Sequence, residues 1–444
     1  MLDEIIKVRR QKLALLRKKG INPYPARTKV SETAFNILKK FSRFLVEKRK
    51  IFLAGRIMSW RDMGSIVFAD LNDGTDKIQI VLTKKNLQEF DFLKEVLDIG
   101  DFIEVGGRVF KTKKGEKSIE AKDIRLITKA LRPLPSTWYG LEDVEERFRK
   151  RYLDILINPG IKKEVLLRLE IIKTLRQELW KEGFLEVETP TLQPVAGGAL
   201  ARPFKTRHYA LSEDFYLRIA PELYLKRLLI AGLNKIFEIA RVFRNEGIDR
   251  EHNPEFTMLE LYWAYQDYDG LMKFIEKILK KFIPGPYQKI TYEAAIKKYS
   301  GRKLSDLDFE KIDEIFKKEV RPYLKKPTFV THLPKSISPL AKSSENNPEL
   351  TDRFQLIVDG MEVVNGFSEL NDPVDQRERM EKQERRYRAG DPEASRLDEE
   401  FLEALEYGMP PAAGLGIGID RLVALVIKKS VKESIIFPTL KRKK

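Results

Sequence analysis

The sequence predicts an α+β chain: an all-β barrel preceded by N-terminal helices, then a larger domain whose helices pack on an antiparallel sheet. Three observations predict it. Apolar residues change from helical spacing to strict alternation near residue 51. Five strand-like runs with one short helical run among them follow before residue 130. Beyond a proline-bearing stretch at 131–146, strand-like runs alternate with helices but lack tight βαβ spacing, which favours an antiparallel over a doubly wound sheet.

LDEIIKVRRQKLALLRKK (2–19) places Leu2, Ile5, Ile6, Leu13 and Leu16 at helical spacing, and Gly20 with Pro23 stops it. A second basic helix is expected over 31–48. Residues 1–50 hold fifteen Lys/Arg against four Asp/Glu, so +11 of the formal +16 lies there. That excess points to a polyanion partner such as nucleic acid, or to a solvated basic surface. From residue 51, IFLAGRIMSWRDM, SIVFADL and KIQIVLT read as strands, with NDG at 72–74 as a hairpin turn. LQEFDFLKEVL is helical, and DFIEVGGRVFKT and KSIEAKDIRLIT are two further strands. Three strands, a helix and two strands is the order of an OB-fold barrel, which binds single-stranded nucleic acid by base stacking. Phe68 and Gln79 fall on facing strands; stacking with base-edge bonding, or a core Phe with an exposed Gln, both fit the pattern. After the stretch at 131–146 comes a long helix at about 162–182, ending at Gly183.

Composition removes several classes. No cysteine is present, so disulfides, thiolate zinc sites and cysteine nucleophiles are excluded, in keeping with a reducing cytoplasm. Three histidines make a multi-histidine metal site or a Ser-His-Asp arrangement a poor expectation. No apolar run is long enough to span a membrane.

The chemistry-bearing segments are GFLEVETPTL (183–192), FRNEG (243–247) followed by HNPEF (252–256), and GLGIGIDRLVAL (414–425). In this order they resemble the three motifs of class II aminoacyl-tRNA synthetases. GGALARPF (197–204), YLRIAPELYLKRL (216–228), HNPEFTMLELY and NGFSELND (365–372) bring the resemblance closer to the lysyl-specific family. It covers almost the whole chain. It implies a basic helical extension at 1–50, an OB-fold anticodon-binding domain at 51–130, a linker at 131–146 and an antiparallel-sheet catalytic domain at 147–444. It implies the partners tRNA(Lys), lysine and ATP, magnesium (Mg2+), a homodimer and no membrane.

Site roles follow from the same resemblance. Arg244 is typed to bridge the amino-acid carboxylate and the α-phosphate, since a planar guanidinium binds oxyanions in pairs. Glu246 is implied to accept from adenine, Phe256 and Arg421 to sandwich its ring, and His252 to face the γ-phosphate. For lysine, Glu369 with Tyr262 takes the side-chain ammonium. Glu222 with Gly198 takes the α-ammonium, Asn365 helps hold the carboxylate and Phe367 lines the stem. A substrate lacking the ammonium leaves Glu369 buried and unpaired, a loss of roughly 3–5 kcal/mol. On the barrel, Phe68, Gln79, Arg56 and Glu116 are implied to read the anticodon.

The chain departs from the family at three places. Glu362 matches one acidic magnesium ligand, but Gln355 stands where a second is expected, which brings an amide without charge. Glu251 precedes His252 where an arginine often stands, and Arg250 lies one residue earlier. Residues 284–327 are shorter than the usual insertion. Three competing readings stay open: a protein-modifying lysine ligase, though its kind typically lacks an N-terminal barrel; an aspartyl- or asparaginyl-specific relative; and a non-catalytic RNA-binding protein.

Overall fold

In the computed structural model, which describes residues 2–135, 143–247, 249, 251–307 and 311–442, the alternating run that begins at Ile51 closes into a barrel. Its strands are β1 (Ile51–Asp62), β2 (Ile66–Asn72), β3 (Lys77–Thr83), β4 (Phe102–Lys111) and β5 (Lys117–Thr128), with the helix Phe90–Val96 between β3 and β4. The order is β1-β2-β3-β5-β4, closed on itself, and β3 and β5 pair in parallel. The pleat sends Val67, Ala69, Leu71, Ile78, Ile80 and Leu82 inward. At the β2–β3 turn, Asn72 Oδ1 accepts from the Gly74 amide at 2.7 Å, and Gly74 has a φ of 92°. Gly107 sits where β4 shifts register; a Cβ there would lie 2.1 Å from the Glu120 carbonyl oxygen.

Two expectations for the first fifty residues need correction. The helix Leu2–Lys18 forms, but Leu2 and Ile5 of its expected apolar stripe are exposed. It is seated instead by Leu16 and by buried Arg9, whose guanidinium donates to the carbonyls of Ile99, Ala130 and Arg132. Carbonyl oxygens can hold a buried guanidinium where apolar contact alone would not. The expected helix 31–48 is two helices, Ala34–Lys39 and Phe41–Glu47, broken at Lys40 (φ −105°, ψ 23°). The break lets Ala34 and Ile37, and then Phe41 and Phe44, all enter the barrel core. Asp73 accepts from the Ala34 amide and ties the first of these helices to the β2–β3 turn. These helices and the barrel form one compact unit, Met1–Glu142.

The second unit, Asp143–Lys444, is built on an eight-stranded sheet. Its strands in chain order are β6 (Leu185–Glu186), β7 (Leu192–Gln193), β8 (Lys205–His208), β9 (Glu213–Leu217), β10 (Lys235–Phe243), β11 (Glu255–Ala264), β12 (Gln288–Thr291), β13 (Thr328–Thr331), β14 (Arg353–Val358), β15 (Met361–Ser368) and β16 (Ala412–Gly418). The large sheet runs β12-β13-β14-β15-β16-β11-β10-β6 and is antiparallel except at its two ends; β7, β9 and β8 make a small sheet. Of the expected linker, residues 136–142 lie outside the described residues.

Strand alternation decides the two faces of the large sheet. Leu259 and Leu261 of β11, Phe354 and Leu356 of β14, and Ala413, Leu415 and Ile417 of β16 enter the main core. Helix Pro159–Lys181 covers that core with Ile171, Leu175 and Leu179, one turn apart, as do helices Tyr268–Leu279 and Ile419–Ile427. Arg168 of the long helix reaches Asp420 at 2.5 Å, and Asp420 also accepts from the Thr257 amide at 2.7 Å. This buried pair joins β11 to the helix that follows β16. Helix Pro373–Arg388 is charged along its length yet partly buried. Gln376, Arg379, Met380 and Gln383 are buried, with Arg379 bonded to the Ala341 carbonyl at 2.8 Å.

Candidate active site

The opposite face of the large sheet forms one wall of a cavity of about 540 Å³. The alternation that buries Leu259 and Leu261 turns Phe256, Met258, Glu260 and Tyr262 into it. Register then stacks the site across strands. Tyr262 faces Gly414 and Glu260 faces Gly416 on one side of β16, while Phe367 and Asn365 face the same glycines on the other. Gln355 is opposite Asn365, and Arg353 opposite Phe367. The glycines of GLGIGID thus form the cavity floor. A Cβ on Gly414 would lie 2.4 Å from the Tyr262 ring and 2.5 Å from Glu369 Oε1. Only a residue without a side chain leaves both groups in place.

At one end three carboxylates gather. Glu222 opens the helix Glu222–Ile230, backed by Gly198 (φ 86°), whose Cβ would lie 3.0 Å from that of Glu222. Glu260 accepts from the Tyr262 hydroxyl at 3.1 Å. Glu369 is 2% exposed. Between Glu222 and Glu369 lies Lys226, wholly buried, with Nζ 2.6 Å from an oxygen of each. It hydrogen-bonds Glu222 and forms a close ion pair with Glu369. Burial lowers the Lys226 ammonium, yet Glu222 and then Glu369 more than offset this and hold it above its usual value. Burial pushes Glu369 up to about 8, with Lys226 opposing and Glu222 adding. Burial and then Glu222 push Glu260 well above the usual carboxylate range. Close acids in a dry site cannot all ionise without added positive charge.

Toward the other end arginines stand among acids. Arg244 follows β10 and stands 5.1 Å from the centre of the Phe256 ring, so the cation at that ring is Arg244. Arg421, also in the cavity, donates to the Glu362 carbonyl at 3.1 Å and lies 3.4 Å from His252 Nε2. His252 Nδ1 sits 2.9 Å from Asp249. Glu246, Glu251 and Glu362 line this part. Asn365 Oδ1 accepts from Arg353 Nε at 2.9 Å, so part of its amide is already engaged. Burial lowers the Arg244 and Arg353 guanidinium groups below their ordinary values. Arg250 lies outside the described residues.

The structure therefore brings into one cavity Gly198, Glu222, Arg244, Glu246, His252, Phe256, Tyr262, Gln355, Glu362, Asn365, Phe367 and Arg421. Glu369 lies just behind, beside Gly414 and Tyr262. Sequence reading missed Glu260, Lys226 and Arg353. The alternation Phe256, Met258, Glu260, Tyr262 would have found Glu260, and the four-residue spacing from Glu222 hints at Lys226. Gln355 donates through Nε2 to Glu362 at 2.8 Å, and among the described residues no three His, Asp or Glu side chains are grouped to hold a metal.

On the barrel, Arg56, Phe68 and Gln79 occupy outward positions of the consecutive strands β1, β2 and β3; Phe68 is not in the barrel core. Arg56 donates to the Gly100 carbonyl and stacks 4.2 Å from the Phe102 ring centre. Gln79 accepts from Ser118 at 2.9 Å, and exposed Glu116 lies in the β4–β5 turn two residues before that serine.

Comparison with known proteins gives two family matches. Residues 143–441 match the tRNA synthetases class II (D, K and N), and residues 51–127 match the OB-fold nucleic acid binding domain. A lysine–tRNA ligase of Pelotomaculum thermopropionicum is 46% identical over 99% of this chain and 95% of its own length. Those of Moorella thermoacetica and Carboxydothermus hydrogenoformans are 44% and 45% identical, each over 99% of this chain and 98% of the relative.

Proposed function

The chain belongs to the class II tRNA synthetases, among their lysine–tRNA ligases, and from that membership we propose a role for each part of the cavity. The protein is an ATP-dependent ligase that joins lysine to tRNA, and its barrel belongs to the OB-fold nucleic acid binding domains. The observation that supports the site assignment is the opposition of its two ends. Three carboxylates against one ammonium, Lys226, await positive charge. Lysine brings two ammonium groups. Arginines toward the other end await anions.

In this reading an oxygen of the lysine carboxylate attacks the α-phosphorus of ATP. A carboxyl–phosphate anhydride forms, and the bond to pyrophosphate breaks. A terminal ribose hydroxyl of tRNA(Lys) then attacks the acyl carbon, and AMP leaves. No protein nucleophile is needed; positioning and charge stabilisation carry both steps. Arg244 holds the reacting carboxylate and α-phosphate together, with Asn365 and Arg353 beside it. Glu369 and Tyr262 take the side-chain ammonium, Glu222 and Gly198 the α-ammonium, and Phe367 the stem. Glu246 takes the adenine amino group, Phe256 and Arg421 sandwich its ring, and His252 faces the γ-phosphate. Glu362 would help hold magnesium, which would neutralise phosphate charge when bound. Gln355, turned to donate to Glu362, adds no charge to that ligand set.

Arg56, Phe68, Gln79 and Glu116 are assigned to the anticodon. A homodimer is favoured by exposed Leu166, Leu169, Trp180, Leu185 and Leu192 along the long helix and the strands after it. No helix of the described residues is long and apolar enough to cross a membrane, and a cytoplasmic location is part of this reading. The test is ATP–pyrophosphate exchange with lysine, aspartate and asparagine, followed by aminoacylation of transcripts with and without a UUU anticodon. Exchange with lysine alone, and charging of the UUU transcript, are expected. Exchange with aspartate or asparagine, or charging blind to the anticodon, would overturn the assignment.

A further inference from the structure

The cavity has a wall that does not come from the large sheet. Helix Ile312–Ile315, a π-helical turn Phe316–Val320 and a 3-10 turn Arg321–Tyr323 follow one another without a break. Their apolar side, Ile312, Phe316, Val320 and Leu324, packs with Tyr292 in a separate core. Their other side carries Asp313, Lys317 and Arg321, four residues apart, and all three line the cavity. Arg321 is held from two directions. Nε donates to the Gly360 carbonyl at 3.0 Å, and Nη2 reaches Glu251 Oε2 at 2.8 Å. Its side chain is 13% exposed, whereas that of Glu251 is 39% exposed. A fixed guanidinium with little solvent and one remaining nitrogen is a preorganised oxyanion donor. Glu251 adjoins His252, which in turn lies 3.4 Å from Arg421. The charged groups facing Arg321 across this part of the cavity are thus Arg421, His252, Glu251 and Glu362, with Lys317 and Asp313 on its own element.

We propose that Arg321 binds the terminal phosphates of ATP and the departing pyrophosphate, and that Glu251 occupies its guanidinium until those phosphates displace it. The inference rests on the assignment of this cavity to ATP. A helical appendage outside the sheet thereby supplies a cation to the reaction, through a loop residue that is itself an acid. The ion pair has two possible jobs, and they differ in sign. If it only pins the loop, losing either partner does the same damage. If Arg321 serves phosphate, Glu251 competes with that phosphate, and losing the acid helps.

The test measures lysine-dependent ATP–pyrophosphate exchange for wild type, Arg321→Ala, Arg321→Lys and Glu251→Gln, with KM determined separately for ATP, pyrophosphate and lysine. Arg321→Ala should raise KM for ATP and pyrophosphate about tenfold, the scale of one lost charge-assisted bond, and leave KM for lysine unmoved. Arg321→Lys keeps charge without the fork and should fall between. Glu251→Gln should lower KM for pyrophosphate about two- to threefold. Equal losses in Arg321→Ala and Glu251→Gln, or unchanged phosphate constants in the arginine variants, would overturn the proposal. If Arg321→Ala melts early, Arg321→Lys against Glu251→Gln still decides by the opposite signs. Absence of exchange in the wild type would instead strike the ATP assignment itself.

Discussion

The barrel and the cavity both present arginine, acid and aromatic side chains, but they handle them in opposite ways. On the barrel, Arg56, Phe68 and Gln79 stand on the outer face of three adjacent strands and are half-exposed. Their bonds run mostly to neighbours such as Gly100 and Ser118, and partial burial lowers the Arg56 guanidinium. At the acid end of the cavity, Lys226 is buried between Glu222 and Glu369, which hold it above its usual value, while burial raises Glu260 and Glu369. A face of the first kind suits flat bases, which offer a π surface to any aromatic. A pocket of the second kind is electrostatically incomplete until a ligand of matching charge enters it. Selectivity for a small cation therefore belongs to the cavity, and recognition of a long polyanion to the barrel.

This division can be broken by experiment. The largest effect is expected from Arg244→Ala, which should abolish lysine-dependent pyrophosphate exchange, a loss of at least about 10²–10³-fold, while leaving tRNA affinity in filter binding near wild type. Glu369→Gln comes next. Removing one partner of a buried pair costs roughly 3–5 kcal/mol, so kcat/KM for lysine should fall several hundred-fold or more, with KM for ATP little changed. Phe68→Ala should cost about 1–3 kcal/mol of tRNA recognition, seen in charging but not in exchange; equal losses in both assays would erase the contrast between barrel and cavity.

A smaller effect tests the charge state of the acid end. Glu369 has its proton held up to about 8, above the ordinary carboxylate value, with Lys226, Glu222 and Tyr262 facing it. Between the unfolded value near 4.5 and about 8 the free protein carries a proton there, and the ammonium of lysine displaces it. Lysine binding should weaken as pH falls below 8. Calorimetry in buffers of different ionisation enthalpy should show proton release approaching one per lysine, and Glu369→Gln should abolish that share. The same sign makes the contribution of Glu369 to stability full below pH 4.5 and lost as pH rises through 8, so the melting temperature without lysine should drop across that window. The smallest change is expected from Gln355→Glu, which should shift half-saturation by magnesium a few-fold lower in exchange assays; identical magnesium curves would refute a charge deficit at that position.

Much of this is legible in the sequence itself. Period-two runs and the NDG turn marked the barrel strands, because pleat and turn chemistry are local. The segments FRNEG, HNPEF and GLGIGIDR marked the cavity, because oxyanion and ring recognition demand particular residue types. The apolar stripe of the first helix misled, since Arg9 rather than Leu2 or Ile5 faces the barrel. Periodicity ranks residues by hydropathy and cannot see three carbonyls, near residues 99, 130 and 132, waiting for one guanidinium.

What the sequence determined by itself is the order of elements, the two-faced strands and the family chemistry, all set by patterns a few residues long. Tertiary structure alone decided the charge balance of the site. It placed Lys226 against Glu369, Arg353 against Asn365 and Arg321 against Glu251, partners drawn from different strands, helices and loops. Coulomb interactions act over ångströms in space, and separation along the chain does not measure that distance.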